Sequence, residues 1–286
     1  MAIDGLSIIG ETLNDSVPST NALYEANDLD GVREVARFQE SKGARYIDVN
    51  VGTRSAATME LMVQTVVEAT NLPVSVDSPD YELARAGLRV CDSSRGKPIL
   101  NSISPLRPEM FELYKETPFR PILLLTEFVD AQGQGAPVQT SDDAYSAARF
   151  LFERAKSFGI PNDDLIFDPG VAPIGSDMDG ALARLMETLA KIQSDPEMKG
   201  VHASVGLSNF TVMLPSKRKV DDSPVKSPLE SAFLTLAMPL GLDYVVGSVK
   251  RNYQKLEDDS PALQCVRDCL TLKGVESLRR VRKFYR

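Results

Sequence analysis

RYIDVNVG (residues 45–52) decides how this chain is read. A short apolar run ends in a carboxylate and an amide, Asp48 and Asn50. The same punctuation recurs along the chain. LSIIGETLN (6–14) supplies Glu11 and Asn14, LPVSVDS (72–78) supplies Asp77, and KPILNSIS (97–104) supplies Asn101. LIFDPG (165–170) supplies Asp168 and ASVGLSN (203–209) supplies Asn209. Strands buried on both faces of a parallel sheet read as apolar runs. Polar groups at their exits are therefore placed for chemistry. In a closed parallel barrel they converge on one rim, the C-terminal face, where such barrels keep their active sites.

Working outward, apolar runs alternate with amphipathic stretches. Strands are expected at 6–10, 45–50, 74–77, 98–101, 122–126, 165–168, 201–205 and 244–247. Between them, helical periodicity spans 30–42, 56–70, 81–86, 107–115, 141–158, 178–194 and 229–240. Gly43, Gly159 and Gly241 stand where a glycine closes a helix. One further helix is left over at 261–285. Eight strands alternating with helices predict a parallel sheet covered by helices. Closed, this is a (β/α)8 TIM barrel in a single domain, 1–286, with an extra C-terminal helix; a doubly wound open sheet is the alternative. Two long loops, 130–139 and 213–228, interrupt the pattern, and the first has the composition of a lid or a flexible connection.

Composition narrows the function. The 286 residues carry a net charge of -8, which argues against a nucleic-acid binder. No apolar run reaches membrane-spanning length and no signal core opens the chain. Three cysteines form no disulfide framework and fit a reducing cytoplasm. No GxGxxG or GxxxxGK[ST] phosphate loop is present. The one histidine, His202, begins a strand away from the expected rim, which disfavours a histidine general base.

Asp77, Asn101, Asp168 and Asn209 form the candidate constellation. A carboxylate accepts two parallel N–H bonds from a 2-amino-pyrimidinone edge, and an amide matches a ring carbonyl beside a ring N–H. Two anions and two amides therefore suit a flat, polar, neutral heterocycle. Asp, Asn and Ser are also the favoured helix N-caps, so capping is the competing reading for any one of them. Four at matching strand ends is much less expected by chance.

The pieces IIGETLN (8–14), YIDVNVG (46–52), VSVDS (74–78), ILNSIS (99–104), LIFDPG (165–170) and GLSN (206–209) resemble, in order, those of the pterin-binding methyltransferases. These enzymes move a methyl group between N5 of tetrahydrofolate and a corrinoid. The resemblance extends more distantly to dihydropteroate synthase. It implies that Asp77, Asn101 and Asp168 hold the pterin edge, with Asn209 near N5 and Ser208 beside it. Glu11, Asn14, Asp48 and Asn50 match positions that line the pocket or organise it from behind. It also implies a homodimer, tetrahydrofolate or methyltetrahydrofolate as substrate, and a corrinoid (cobalamin) carried by a separate corrinoid protein. Transfer in either direction fits, including methyl-corrinoid to tetrahydrofolate in a demethylation pathway.

Departures shape the alternatives. LNDSVPSTN (13–21) matches the dihydropteroate synthase phosphate signature poorly, and GSVKRNY (247–253) does not fit its late basic pair. Cys91, Cys265 and Cys269 do not cluster like zinc ligands, so no protein-bound metal is expected. No Asp-x-His-x-x-Gly corrinoid segment occurs. The remaining readings are a dihydropteroate synthase-like condensing enzyme and a non-catalytic subunit that binds pterin or a corrinoid protein. The run Lys217-Arg218-Lys219 reads first as a solvated loop, and second as a docking lip for an acidic partner or the folate glutamate tail.

Overall fold

The computed structural model describes residues 3–130 and 132–286. Ala131, inside the expected 130–139 loop, lies outside the described residues. In chain order the elements begin with β1 (Ser7–Asn14), α1 (Pro18–Glu25), α2 (Leu29–Ser41), β2 (Tyr46–Asn50) and α3 (Ala56–Ala69). Next come β3 (Val74–Asp77), α4 (Tyr81–Arg89), β4 (Ile99–Ile103), β5 (Arg120–Leu124), β6 (Glu127–Val129) and β7 (Gly135–Pro137). They are followed by α5 (Ser141–Ser157), β8 (Ile166–Asp168), α6 (Ala181–Ser194), β9 (His202–Ala203) and α7 (Leu207–Phe210). The chain ends with α8 (Lys226–Ala237), β10 (Tyr244–Gly247), α9 (Pro261–Thr271) and α10 (Gly274–Tyr285).

Eight strands form one parallel sheet in the order β10-β1-β2-β3-β4-β5-β8-β9. The parallel bridges Ala203↔Leu242 and Gly206↔Val246 join its two ends, so the sheet closes as the expected (β/α)8 barrel. Helices pack outside it, and α9 lies against α8, α6 and α10.

The barrel interior explains the polar exits. Inward-facing residues alternate along each strand. Ile9, Tyr46, Ile99, Ile122, Ile166 and Tyr244 fill the barrel as one buried cluster, separate from the larger core between strands and helices. Two residues further along each of the same six strands stand Glu11, Asp48, Asn101, Leu124, Asp168 and Val246, all lining one cavity. Six of the eight strands thus present a plug residue below and, on four of them, a polar group above. The pairing register sets Asp77 beside Asn101 and Leu124 beside Asp168.

At the opposite end, the start of the strands, Arg120 donates to the Tyr46 hydroxyl at 3.4 Å and to that of Tyr244. His202 Nδ1 lies 2.5 Å from Asp243. This polar girdle holds the N-terminal face shut, and His202 lies away from the rim as expected from its position.

Four local expectations change. β1 continues past Gly10 through a bulge to Asn14, because the side-chain oxygen of Gln39 accepts from Thr12 N at 3.0 Å where the ladder is interrupted. Residues 107–115 form a 3-10 helix, Pro108–Lys115, rather than an α-helix. The 130–139 loop carries an antiparallel hairpin, β6 with β7. The C-terminal helix is two helices, separated at Leu272 and Lys273, with Gly274 at a φ of 58° opening the second. Helix α1 has no counterpart in the expected pattern; Pro18 occupies its first turn, where a missing N–H costs nothing.

Candidate functional site

The strand exits open into a cavity of about 700 Å³. Glu11, Asn14, Asp48, Asp77, Asn101, Asp168, Ser208 and Asn209 all line it. Asn50 does not; it stands behind the wall, where its Nδ2 donates to Asp77 Oδ2 at 3.0 Å and its Oδ1 accepts from Gly52 N at 2.8 Å.

The capping alternative fails for these residues. The side-chain caps of α2, α3, α4 and α5 are Asp28, Ser55, Asp80 and Thr140. In the run Asp77-Ser78-Pro79-Asp80 the cap is therefore the last residue, and Ser78 Oγ accepts from Asp80 N at 3.1 Å. Asp77 is left to face the cavity.

Asp48 and Asp77 form a buried pair. Ser75 Oγ donates to Asp48 Oδ1 at 2.6 Å, and Asn101 Nδ2 approaches the same oxygen at 3.4 Å. Asp48 Oδ2 is buried with no donor. Burial, reinforced by the negative charge of Asp77, pushes the Asp48 carboxyl well above the usual carboxylate range. Burial also raises Asp77, opposed by its hydrogen bond from Asn50. Two adjoining buried carboxyls cannot both ionise cheaply. Burial therefore favours a single negative charge on the pair rather than two.

Asp168 accepts from Gly170 N at 2.8 Å and from Ser204 Oγ at 3.3 Å. Burial raises its carboxyl to about 6, so it is mostly ionised at neutral pH. Gly170 sits at a φ of +70°, and a Cβ there would stand 2.4 Å from Thr126 Cγ2. Only glycine lets the FDPG turn close against Thr126 while still donating to Asp168.

Ser208 and Asn209 ride on the single turn of α7 rather than on a strand exit. Ser208 donates to Glu11 across the barrel mouth, and Thr211, just past the helix, donates to the fully buried Glu230. Arg251 Nε lies 3.3 Å from Glu230 Oε2. Burial raises both Glu11 and Glu230. The turn carrying Asn209 is thus tied down on both sides.

Sequence reading missed the outer wall: Thr126, Val138, Ala144, Arg184, Leu185 and Thr188. These lie on the hairpin connection and on α5 and α6, and no motif marked them. Arg184 is the one cation among the described residues lining the cavity. Lys217, Arg218 and Lys219 do not line it; Arg218 Nε donates to Phe284 O at 2.8 Å and Lys219 N to Tyr285 O at 3.0 Å. Lys250 and Arg251 line a separate groove beside Phe38 and Lys42. Cys91, Cys265 and Cys269 lie outside the cavity as free thiols. Among the described residues, no helix is long and apolar enough to cross a membrane.

The cavity therefore offers an anion and an amide side by side, a second anion opposite, and an amide on a separate turn. That set can pair with the donors and acceptors along the edge of a flat, polar heterocycle. Comparison with known proteins agrees. The chain is 28% identical over 249 residues to a methylcorrinoid:tetrahydrofolate methyltransferase of Eubacterium limosum, covering 84% of this chain and 83% of that protein. Dihydropteroate synthase from Thermus thermophilus in complex with 6HMPPP shares the fold, with a TM-score of 0.58 at 20% identity over 88% of this chain and 91% of that one. So does the Yersinia pestis enzyme with a pterine-sulfa conjugate, with a TM-score of 0.56 at 15% identity over 95% and 97%. The family model for pterin binding enzymes matches residues 11–246, running from Glu11 at one wall of the cavity to Val246 at another. This chain belongs to the pterin-binding enzymes.

Proposed function

We propose that the protein is a methyltransferase that moves a methyl group between N5 of tetrahydrofolate and the cobalt of a corrinoid carried by a separate protein. The convergence of Asp77, Asn101, Asp168 and Asn209 on one cavity carries this reading. The Eubacterium limosum relative supports it and favours the direction from methyl-corrinoid to tetrahydrofolate. A condensing enzyme of the dihydropteroate synthase kind would have to seat a pyrophosphate. The cavity opposes this, because its acidic groups far outnumber its single cation and the Lys250-Arg251 pair lies elsewhere.

In this reading Asp77 and Asp168 accept the N–H donors of the pterin edge, and Asn101 matches its carbonyl and neighbouring N–H. Asn50 holds Asp77 in place. An N5-methyl amine is a poor methyl donor, because its leaving group would be an amide-like anion. Hydrogen bonding at N5 lowers that cost, and by reversibility the same contact serves methylation of N5. Asn209 is not an acid, yet its amide both donates and accepts. It can follow the change in protonation at N5, which is preorganised electrostatic stabilisation. The corrinoid supplies the metal that accepts or delivers the methyl group.

The partner has to reach the rim. Exposed apolar side chains gather in the loops at that end: Leu106 after β4, Val129 in the hairpin, Met178 before α6, and Val212 and Met213 after α7. Such residues around a mouth suit a protein partner. The reading also carries a homodimer in the cytoplasm, where the three free thiols stay reduced.

Calorimetric titration with N5-methyltetrahydrofolate and, separately, with pterin pyrophosphate tests the substrate. Binding of the methyl folate, followed by methyl exchange with cobalamin that Asn209→Ala abolishes, is the expected result. Binding of the pyrophosphate alone would replace this reading with the condensing enzyme. Tight folate binding without exchange would make the chain a binding subunit.

A further inference from the structure

The cavity is larger than a pterin edge requires, and its outer part is built differently. Beyond Asp168 the wall passes to Val138, Ala144, Ala181, Leu185, Thr188 and Arg184. These come from the connection after the β6–β7 hairpin and from the N-terminal halves of α5 and α6, which pack together. Thr188 spends its hydroxyl on Arg184 O at 2.8 Å, so it presents its methyl side to neighbours. The lobe is therefore an apolar slot with a guanidinium at its edge.

Arg184 is half-buried, donates to Gln139 O at 3.3 Å and lies in the field of Asp143. Asp143 is itself committed to the capping box of α5, accepting from Thr140 N at 2.8 Å. Arg184 makes no ion pair among the described residues, and one backbone bond leaves most of its five N–H donors for another acceptor. The inner end of the same cavity holds Glu11, Asp48, Asp77 and Asp168. An anionic substituent attached to the heterocycle would be repelled there and drawn to the lobe.

Resting on the tetrahydrofolate reading above, we propose that this lobe seats the p-aminobenzoylglutamate tail of the substrate. The benzoyl ring lies between Val138, Ala144 and Leu185, and a glutamate carboxylate meets the Arg184 fork. A planar guanidinium matches a carboxylate with two parallel bonds, which a lysine does not. Arg184 is thus a specificity residue that separates folates from simple pterins.

The test compares two ligands on the intact protein by calorimetry: N5-methyltetrahydrofolate, and an N5-methyl tetrahydropterin without the tail. The affinity ratio between them measures the tail's contribution. Arg184→Ala is expected to reduce that ratio about tenfold. Arg184→Glu should reduce it further, and Arg184→Lys should restore part of it. A ratio unchanged in all three variants, or equal weakening of both ligands, overturns the assignment and leaves the pterin reading intact. Failure of both ligands to bind the unmodified protein overturns both readings together.

Discussion

Gly206 lies directly against the side-chain amide of Asn209: a Cβ at position 206 would stand 2.9 Å from Asn209 Nδ2. The backbone at Gly206, with a φ of −73°, is open to any residue. What position 206 excludes is bulk, because bulk would push the amide out of its place. Gly206→Ala should therefore fold normally and bind pterin, yet lose methyl transfer by about ten- to a hundredfold, as misplacement of a catalytic group does. Single-turnover methyl transfer measured beside the melting temperature checks this. An unchanged rate would mean that the orientation of Asn209 does not matter.

The different surroundings of Asp48 and Asp77 predict an asymmetry within the acidic pair. Burial and the neighbouring Asp77 charge favour the neutral form of Asp48, while Asn50 donates to Asp77. Asp48→Asn keeps the shape of a group whose neutral form burial favours, and should change folate affinity by no more than about threefold. Asp77→Asn removes an acceptor and sets a donor against the ligand's own donors, and should weaken binding about thirtyfold or more. Equal losses in the two variants would show that the charge sits elsewhere.

Asp168 gives the pH dependence. Its folded-state carboxyl titrates at about 6, above the unfolded value near ~3.9. The free protein thus takes up a proton before the unfolded chain does, and this group adds stability as pH falls from about 6 toward ~4. Ligand binding runs the other way, because pterin N–H donors need the ionised form. Affinity for methyltetrahydrofolate should fall as pH drops through about 6, by up to about tenfold per unit below it. Asp168→Asn should bind weakly and flatten that profile. A flat profile in the unmodified protein would remove Asp168 from the pterin contact.

The apolar rim predicts a separation between partners. Met213 is 88% exposed and Leu106 is 43% exposed. Met213→Glu combined with Leu106→Glu should slow exchange with a corrinoid protein about tenfold or more, since a few exposed apolar anchors carry most interface energy. Exchange with free cobalamin should remain near its original rate. A parallel loss in both assays would indicate damage to the site instead.

His202 predicts a stability change of the same sign as Asp168, from a different cause: a charge partner rather than burial. The Asp243 carboxylate raises the imidazole above its ordinary value, so the pairing stabilises the fold most below the unfolded value of about 6.5. That contribution disappears as pH rises through the higher folded value. The melting-temperature gap between the unmodified protein and His202→Gln should be wide at pH 5.5 and narrow at pH 9. A constant gap would assign the residue to packing alone.

Much of the site could be read from the chain because a strand is a period-two object. Once RYIDVNVG is a strand, Tyr46 and Asp48 must share a face, and the same step carries Ile99 to Asn101 and Ile166 to Asp168. The polar exits are therefore visible as punctuation. Asn50 was less legible, since whether it faces the cavity or supports Asp77 depends on the neighbouring strand's register. The two-helix C-terminus and α1 escaped because Gly274 and Pro18 are ambiguous signals that tertiary packing resolves.

By itself the sequence determined the alternation of strands and helices, the parallel barrel, and the identity of the groups at the strand exits, because each depends on spacing along a local element. The tertiary structure alone decided that Asp48 and Asp77 are buried side by side, which amide lies over Gly206, and that Arg184 joins the cavity. The coupling between the Asp48 and Asp77 carboxyls needs two strands brought side by side in a low-dielectric interior. The Ser208 bond to Glu11 spans 197 residues. Arg184 reaches the site through the packing of α5 on α6. These are contacts between residues far apart in the chain, and no local period encodes them.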